Sequence, residues 1–232
     1  MGWEMALIPV SVLNSPEIQP SHRRIRILSI ALLLIIGSLF IPVIRHGMLR
    51  AAGRALIAED RLEPADLIVV MSDTDGAGAI QASDLVRNGI ASRVAVFADP
   101  PDPVVDREFM RRGLPYEDMA ARETRQLRAA GVDNVHQIPK PTSEADNGPI
   151  LADWCAQHGF RSVIVITNLS ESRLVRRVFH RSLKSQHIKV LISSAPYGGF
   201  HPDAWWQSHD GIRTEIQSLE NLFFDSVRHP VS

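Results

Sequence analysis

The stretch DLIVVMSDTDGAGAI, residues 66–80, decides the fold class. It begins with a continuous apolar run rich in β-branched residues, passes through a short polar loop, and ends in small residues that suit the start of a helix. Strands that are buried on both faces have such runs, which are typical of parallel sheets. The stretch therefore predicts a β-strand followed directly by a helix, the first half of a βαβ unit.

The same order of strand, helix and glycine recurs along the chain. Apolar runs predict further strands at residues 93–98, 135–138, 162–167 and 188–193. Amphipathic segments predict helices at 48–60, 79–88, 118–130, 144–158, 171–183 and 211–228, and a glycine suited to a helix C terminus follows several of them. We therefore expect an α/β protein, a three-layer α/β/α sandwich with a mostly parallel, Rossmann-like sheet.

Composition excludes several functional classes. The 232 residues carry 25 Lys and Arg against 26 Asp and Glu, a balance that argues against a nucleic-acid partner. A hydrophobic content of 45% excludes a disordered chain, and a single cysteine excludes both a disulfide framework and a cysteine-based zinc site. The chain lacks the glycine fingerprints of nucleotide-binding loops, and we expect neither a cofactor nor a metal site.

The N-terminal region contains an uncharged run of 18 residues, 27–44, bracketed by Arg26 and Arg45. About 20 apolar residues of helix cross a bilayer, so the run predicts a single transmembrane helix, with a cleaved signal peptide or a buried core helix as alternatives. Positive charges are nearly equal on its two sides and do not fix its orientation. We therefore divide the chain into a tail (1–24), a transmembrane helix (25–45), a linker helix (46–61) and an α/β domain (62–228).

Candidate site residues follow from the expected sheet, because open parallel sheets bind ligands at the carboxyl ends of their strands. Polar residues follow the first and a later strand and open one intervening helix; they are Ser72, Asp73, Thr74, Ser143, Glu144, Thr167, Asn168, Ser170, Glu171 and Arg173. Helix capping is the alternative role for Asp73 and for the pair Ser143 and Glu144. A structural ion pair is the alternative role for Arg173.

Four motifs in order resemble one known family. They are PADLIVVMS (64–72), ASDLVRNGIASRVAVF (82–97), ITNLSESRLVRRVF (166–179) and WWQSHDGIRTEIQSLENLFF (205–224). Together they resemble the YdcF-like family, domain-of-unknown-function family 218, which includes SanA/ElyC-like envelope proteins, over residues 62–224. The chain departs from the family pattern: Glu171 stands where the family has His, although Arg173 is retained. Ser218 falls where Glu is common, with Glu215 and Glu220 flanking it.

The resemblance implies a three-layer α/β domain tethered to the inner, or plasma, membrane and facing the periplasm. It also implies a role in the cell envelope, in peptidoglycan or lipid-carrier metabolism. On one hypothesis the domain binds or processes a phosphorylated or lipid-linked glycan precursor, with Arg173 holding the anion and Glu171 as the catalytic acid or base. On the other, the domain is a non-catalytic, membrane-tethered interaction module. Both hypotheses place residues 25–45 in the lipid bilayer.

Overall fold

The computed structural model describes residues 27, 42–74, 76–143, 146–196 and 199–230. The strands are β1 (Leu67–Val70), β2 (Val94–Ala98), β3 (Val135–Pro139), β4 (Ser162–Thr167) and β5 (Lys189–Ser194). The helices are α1 (Pro42–Ala55), α2 (Ala77–Arg87), α3 (Pro103–Arg111), α4 (Met119–Ala129), α5 (Asn147–His158), α6 (Ser172–Lys184) and α7 (His209–Arg228). Short 3₁₀ turns occur at Ser72–Thr74, Leu169–Glu171 and Trp205–Gln207. The chain divides into two compact units, Met1–Gly47 and Met48–Ser232, and the sheet lies in the second.

The sheet confirms the predicted α/β class. Its five strands are all parallel and lie in the order β3-β2-β1-β4-β5. The chain builds outward from β1 to β3, then returns to the other side of β1 with β4. This reversal places the switch in strand order between β1 and β4, where doubly wound sheets bind their ligands.

Helices cover both faces of the sheet and enclose two apolar cores. Along β1, Leu67 and Val69 point into one core while Ile68 and Val70 point into the other, as strand geometry requires. The first core is completed by α5 and α6, and the second by α2 and α4. Strands β1, β2, β4 and β5 are buried along most of their length, in keeping with their apolar sequences, whereas the edge strand β3 (VHQIP) is mostly half-buried or exposed.

The predicted helix ends after glycine are confirmed at three positions. Gly89, Gly131 and Gly159 all have positive φ, between 71° and 90°, which other residues rarely adopt. Helix α3 is not among the helices that the sequence predicted. Pro103 occupies its first turn, and the Asp102 side chain accepts hydrogen bonds from the backbone N–H groups of Val104 and Val105.

The membrane prediction falls mostly outside the described residues. The tail (1–24) lies wholly outside them, and of the segment 25–45 only residues 27 and 42–45 are described. Among the helices of the described ranges, none combines the length and the apolar character needed to cross a bilayer.

Helix α1 ends at Ala55, before the predicted end of the linker helix at residue 61. Near its end, Gly53 packs against Pro202 and Trp205, and the Trp205 indole donates a hydrogen bond to the Leu49 carbonyl (2.8 Å).

Asp66 joins the amino ends of β1 and β4, the two central strands. Its carboxylate accepts hydrogen bonds from the backbone N–H of Arg161 (2.8 Å), the backbone N–H of Ser162 (2.9 Å) and the Ser162 hydroxyl (2.9 Å). The bond from Arg161 is the largest influence, and together these donors hold the pKa of Asp66 below its usual value. Hydrogen bonds to the charged form of a carboxyl favour that form.

We expect Asp66→Asn to lower the free energy of unfolding of the full chain in mild detergent by about 1–2 kcal/mol at pH 7. Because the folded pKa is depressed, the stabilisation is present above the unfolded pKa of about 3.9 and is lost as pH falls through the folded value. The deficit of the variant should therefore shrink below about pH 4 in denaturant titrations. Asp84→Asn, which alters an exposed pair with Arg87, is the control. A deficit that is equal at pH 7 and pH 3 contradicts this role.

Candidate functional site: an acid cluster at the carboxyl ends of β1 and β4

Asp73 connects the turns that follow β1 and β4. Its Oδ2 accepts a hydrogen bond from the Thr167 hydroxyl (2.9 Å) and another from the backbone N–H of Asn168 (3.2 Å). In return, the Asn168 side-chain amide donates to the Asp73 carbonyl. The structure thus brings together three of the predicted site residues at the switch in strand order. The capping alternative for Asp73 is wrong, because the N-cap of α2 is Gly76 and makes no side-chain cap bond.

The second carboxyl oxygen of Asp73 is buried and has no hydrogen-bond partner among the described residues. Burial is the largest influence on this carboxyl and raises its pKa, and the nearby Glu171 carboxyl raises it further. The donors on Oδ2 act in the opposite direction but do not outweigh burial. Asp73 therefore holds its proton more readily than an ordinary aspartate does.

Glu171 lies in the turn after β4 and is bonded to the C-terminal helix. The Ser218 hydroxyl donates a 2.6 Å hydrogen bond to Glu171 Oε1, and Ser218 is itself 2% exposed. Helix α7 packs against the turn Leu169–Glu171 and closes this end of the site.

Glu215 is a buried acidic residue of α7 that the sequence did not predict as a candidate. It lies one turn before Ser218 on the same face of α7, since residues three apart share a helix face. Its exposure is 0%, and neither carboxyl oxygen has a hydrogen-bond partner in the part of the chain that is described. Burial raises the pKa of Glu215 to about 7. The only signal in the sequence was its place beside Ser218 in the motif 205–224, which marked it as a flanking residue.

Asp73 and Glu171 form what we call the acid cluster, and Glu215 is buried one helical turn before Ser218, the residue that donates to Glu171. A raised carboxyl pKa such as that of Asp73 is typical of functional sites, because a carboxyl that holds its proton more readily can act as an acid as well as a base. Within the described ranges, no group of three or more His, Cys, Asp or Glu side chains is arranged to hold a metal ion. The raised pKa of Asp73 and its proximity to a second carboxyl suit the acid cluster to proton transfer and to accepting hydrogen bonds from hydroxyl groups.

The remaining predicted residues lie around the cluster or away from it. Thr74 is buried, and its hydroxyl closes the turn after β1 by donating to the Met71 carbonyl (2.8 Å). Ser170 is buried in the turn after β4, whereas Ser72 is exposed. Ser143 is exposed in the loop after β3, two strands from β1, and its carbonyl accepts a hydrogen bond from Lys140 Nζ (2.9 Å). Glu144 lies outside the described residues.

Arg173 stands in the first turn of α6 and is exposed. Its guanidinium donates to the Ile57 carbonyl (2.9 Å), and its backbone N–H donates to the Leu56 carbonyl (3.0 Å). These bonds fasten the segment after α1 to the start of α6. A cation in the first turn of a helix interacts unfavourably with the helix dipole. The hydrogen bond from the Arg173 guanidinium to the Ile57 carbonyl offsets this cost. The role of Arg173 as an anion ligand stays a prediction.

Helix α6 also forms one wall of a groove of about 770 Å³, which we call the cationic groove. Its floor is apolar, from Ile188, Val190 and Leu191, and its walls are largely basic, from Arg176, Arg177, Arg181, Lys184 and Lys189. Three acidic residues, Asp60, Glu63 and Asp225, pair with four of these five cations. The groove therefore keeps a surplus of positive charge.

Two side chains that line the groove, His180 and Arg181, have surroundings that compensate a positive charge incompletely. Burial lowers the pKa of His180, and the adjacent Arg176 lowers it further. One terminal nitrogen of Arg181 is buried and has no acceptor within the described ranges. An apolar floor under a positive rim is complementary to an anionic amphiphile.

No family model matches the chain, and no curated protein matches it. Among solved structures, the chain is similar to a protein from the universal stress protein family from Burkholderia pseudomallei, at 18% sequence identity. The alignment covers 56% of this chain and 96% of that chain, with a TM-score of 0.33.

Proposed function

We propose that this protein is a divergent member of the YdcF-like family, anchored in the inner membrane by one helix over residues 25–45. Its α/β domain faces the periplasm and binds a phosphorylated or lipid-linked glycan precursor of the cell envelope. The cationic groove receives the phosphate and the adjoining part of the lipid. The acid cluster receives the glycan and supplies the group that transfers a proton.

The position of helix α6 between the acid cluster and the cationic groove is the observation on which this proposal rests. Its first residue, Ser172, directly follows Glu171 of the acid cluster, and its later turns line the cationic groove. A phosphate would be repelled by the carboxylates of the cluster, but it is complementary to the charge of the groove. A ligand with an anionic part and a hydroxyl-rich part can therefore lie along one helix and satisfy both surfaces.

Two probes separate the two halves of the proposed site. We expect farnesyl phosphate to bind the full chain in mild detergent, measured by calorimetry, and farnesol to bind much more weakly. Lys184→Gln should weaken farnesyl phosphate binding about threefold to tenfold, because an exposed charge contributes modestly. Arg128→Gln removes an exposed cation from α4, outside the groove, and should leave binding unchanged.

The second probe, farnesyl-diphospho-N-acetylglucosamine, adds the sugar. We expect Glu171→Gln to weaken binding of this probe while leaving farnesyl phosphate binding intact, because only the sugar reaches the acid cluster. Equal affinities for farnesol and farnesyl phosphate contradict phosphate recognition. An equal effect of Glu171→Gln on both probes contradicts the division of the site.

The non-catalytic interaction module remains a second candidate because α7 carries large exposed apolar side chains. Absence of binding by either probe, with the protein folded, would favour this second function. Its physical basis is the surface described next.

A further inference from the structure

Helix α7 has two apolar or buried faces, and the domain covers only one of them. Gly211, Glu215 and Ser218 are buried against the domain. A second row of large apolar residues follows them around the helix: Ile212, Ile216, Leu219 and Phe223, which we call the α7 stripe. Ile216 and Phe223 are 57% and 63% exposed, although both are large apolar side chains.

The α7 stripe has the spacing of a coiled-coil seam. Its members are separated by four, three and four residues, which are the steps between the a and d positions of a heptad. At 3.6 residues per turn, the stripe lies roughly a third of a turn around the helix from the face buried in the domain. A partner helix on the stripe would therefore lie beside the domain and would not collide with it directly.

We propose that the α7 stripe binds α7 of a second copy of this chain in an antiparallel, two-fold symmetric pair. In this pairing Ile216 packs on the partner's Leu219, and Ile212 packs on the partner's Phe223. In this heptad Ile212 and Leu219 are d positions, and Arg213 and Glu220 are the e positions that flank the stripe. In an antiparallel pair the e positions of the two helices face each other, so Arg213 lies opposite the partner's Glu220. Symmetry forms this pair of opposite charges twice.

The other pairings of this surface lack such complementarity. In a parallel pair, Glu220 would face the partner's Glu215, a buried carboxyl on the domain side of the helix. A membrane surface is a poor match as well, because helices that lie on membranes are rich in Lys and Arg. Helix α7 has two arginines and four acidic residues.

Sedimentation equilibrium of the full chain in density-matched detergent tests the pairing. We expect a monomer–dimer equilibrium, with Ile216→Asp weakening dimerisation by more than about tenfold, since it places a charge in the centre of the seam. Ile80→Asp is the control, because Ile80 is 46% exposed on α2 and lies outside the α7 stripe.

The charged pair tests the direction of the helices. Arg213→Glu and Glu220→Arg should each weaken the dimer about threefold to tenfold, because each places like charges opposite each other twice. The double variant should restore wild-type association. A wild type that stays monomeric, or a double variant no stronger than the single ones, overturns the proposal. The outcome does not depend on ligand binding by the acid cluster or the cationic groove.

Discussion

Glu215→Gln should stabilise the protein at pH 8 by about 2–3 kcal/mol and change its stability little near pH 4. The wild-type carboxyl is fully buried, and neither oxygen has a hydrogen-bond partner within the described ranges. Burial raises the pKa of this carboxyl to about 7. Glutamine has nearly the same shape and carries no charge, so it removes the penalty for ionisation without leaving a cavity.

The sign follows from proton linkage. In the unfolded chain Glu215 ionises near pH 4.3, which is about the usual value for glutamate. As pH rises from there, the unfolded state loses its proton first, and the native state becomes progressively less stable until the folded pKa of about 7 is passed. Above that pH the penalty is constant. Denaturant titrations of the full chain at pH 4, 6 and 8 measure this difference.

Glu220→Gln is the matched control for that experiment. Glu220 lies five residues further along α7 and is exposed, so its replacement removes no buried charge. We expect the control to be neutral at all three pH values. If Glu215→Gln gives no gain at pH 8, the carboxyl is not held in an unfavourable, buried environment.

Gly211→Ala should destabilise the protein by about 2–3 kcal/mol, although alanine is the better helix former. A Cβ at Gly211 would overlap the backbone carbonyl oxygen of Trp205, and it would lie 2.8 Å from Ser208 Oγ. Backbone at this point has little freedom to move, because the Ser208 hydroxyl accepts the N–H of Gly211 at the helix start (3.0 Å). The added methyl must therefore displace α7 from the turn Trp205–Gln207.

The consequence extends to the acid cluster. Glu215 and Ser218 lie one and two turns beyond Gly211 on the same helix face, so a displaced helix weakens the bond between Ser218 and Glu171. Gly47→Ala in α1 is the control, because a Cβ there meets no atom within 4 Å among the described residues. Thermal and denaturant unfolding should show a loss for Gly211→Ala and no loss for the control. A gain for Gly211→Ala contradicts the close packing of α7.

Local sequence patterns predicted the sheet and several of the residues that the structure brings together at the switch in strand order. The apolar runs of β1 and β4 identified parallel strands, and Asp73, Thr167, Asn168 and Glu171 then followed from the rule that ligands bind at carboxyl ends of strands. Ser143 was placed in the same crevice because the order of the strands was not known. In the sheet β3 lies at the edge, two strands from β1.

Glu215 illustrates why the rest was not predictable. It is separated from Glu171 by more than forty residues, and its helix has charged and polar residues on more than one face. Only the packing of α7 on the turn after β4 shows that this carboxyl, and not Glu220, is buried. The position of Arg173 after β4 likewise predicted an anion ligand. Its hydrogen bond to the Ile57 carbonyl could not be predicted, because that bond depends on where the segment after α1 lies.

The central claim is that helix α7, which bonds the turn after β4 through Ser218, buries a carboxyl group that is still protonated close to neutral pH. An infrared pH titration of the full chain, compared with Glu215→Gln, measures this directly through the C=O stretch of a protonated carboxyl. We expect a band that the variant lacks and that disappears with a midpoint near the folded pKa of about 7. Identical spectra for the two proteins above about pH 5, where ordinary glutamates are ionised, would contradict the account.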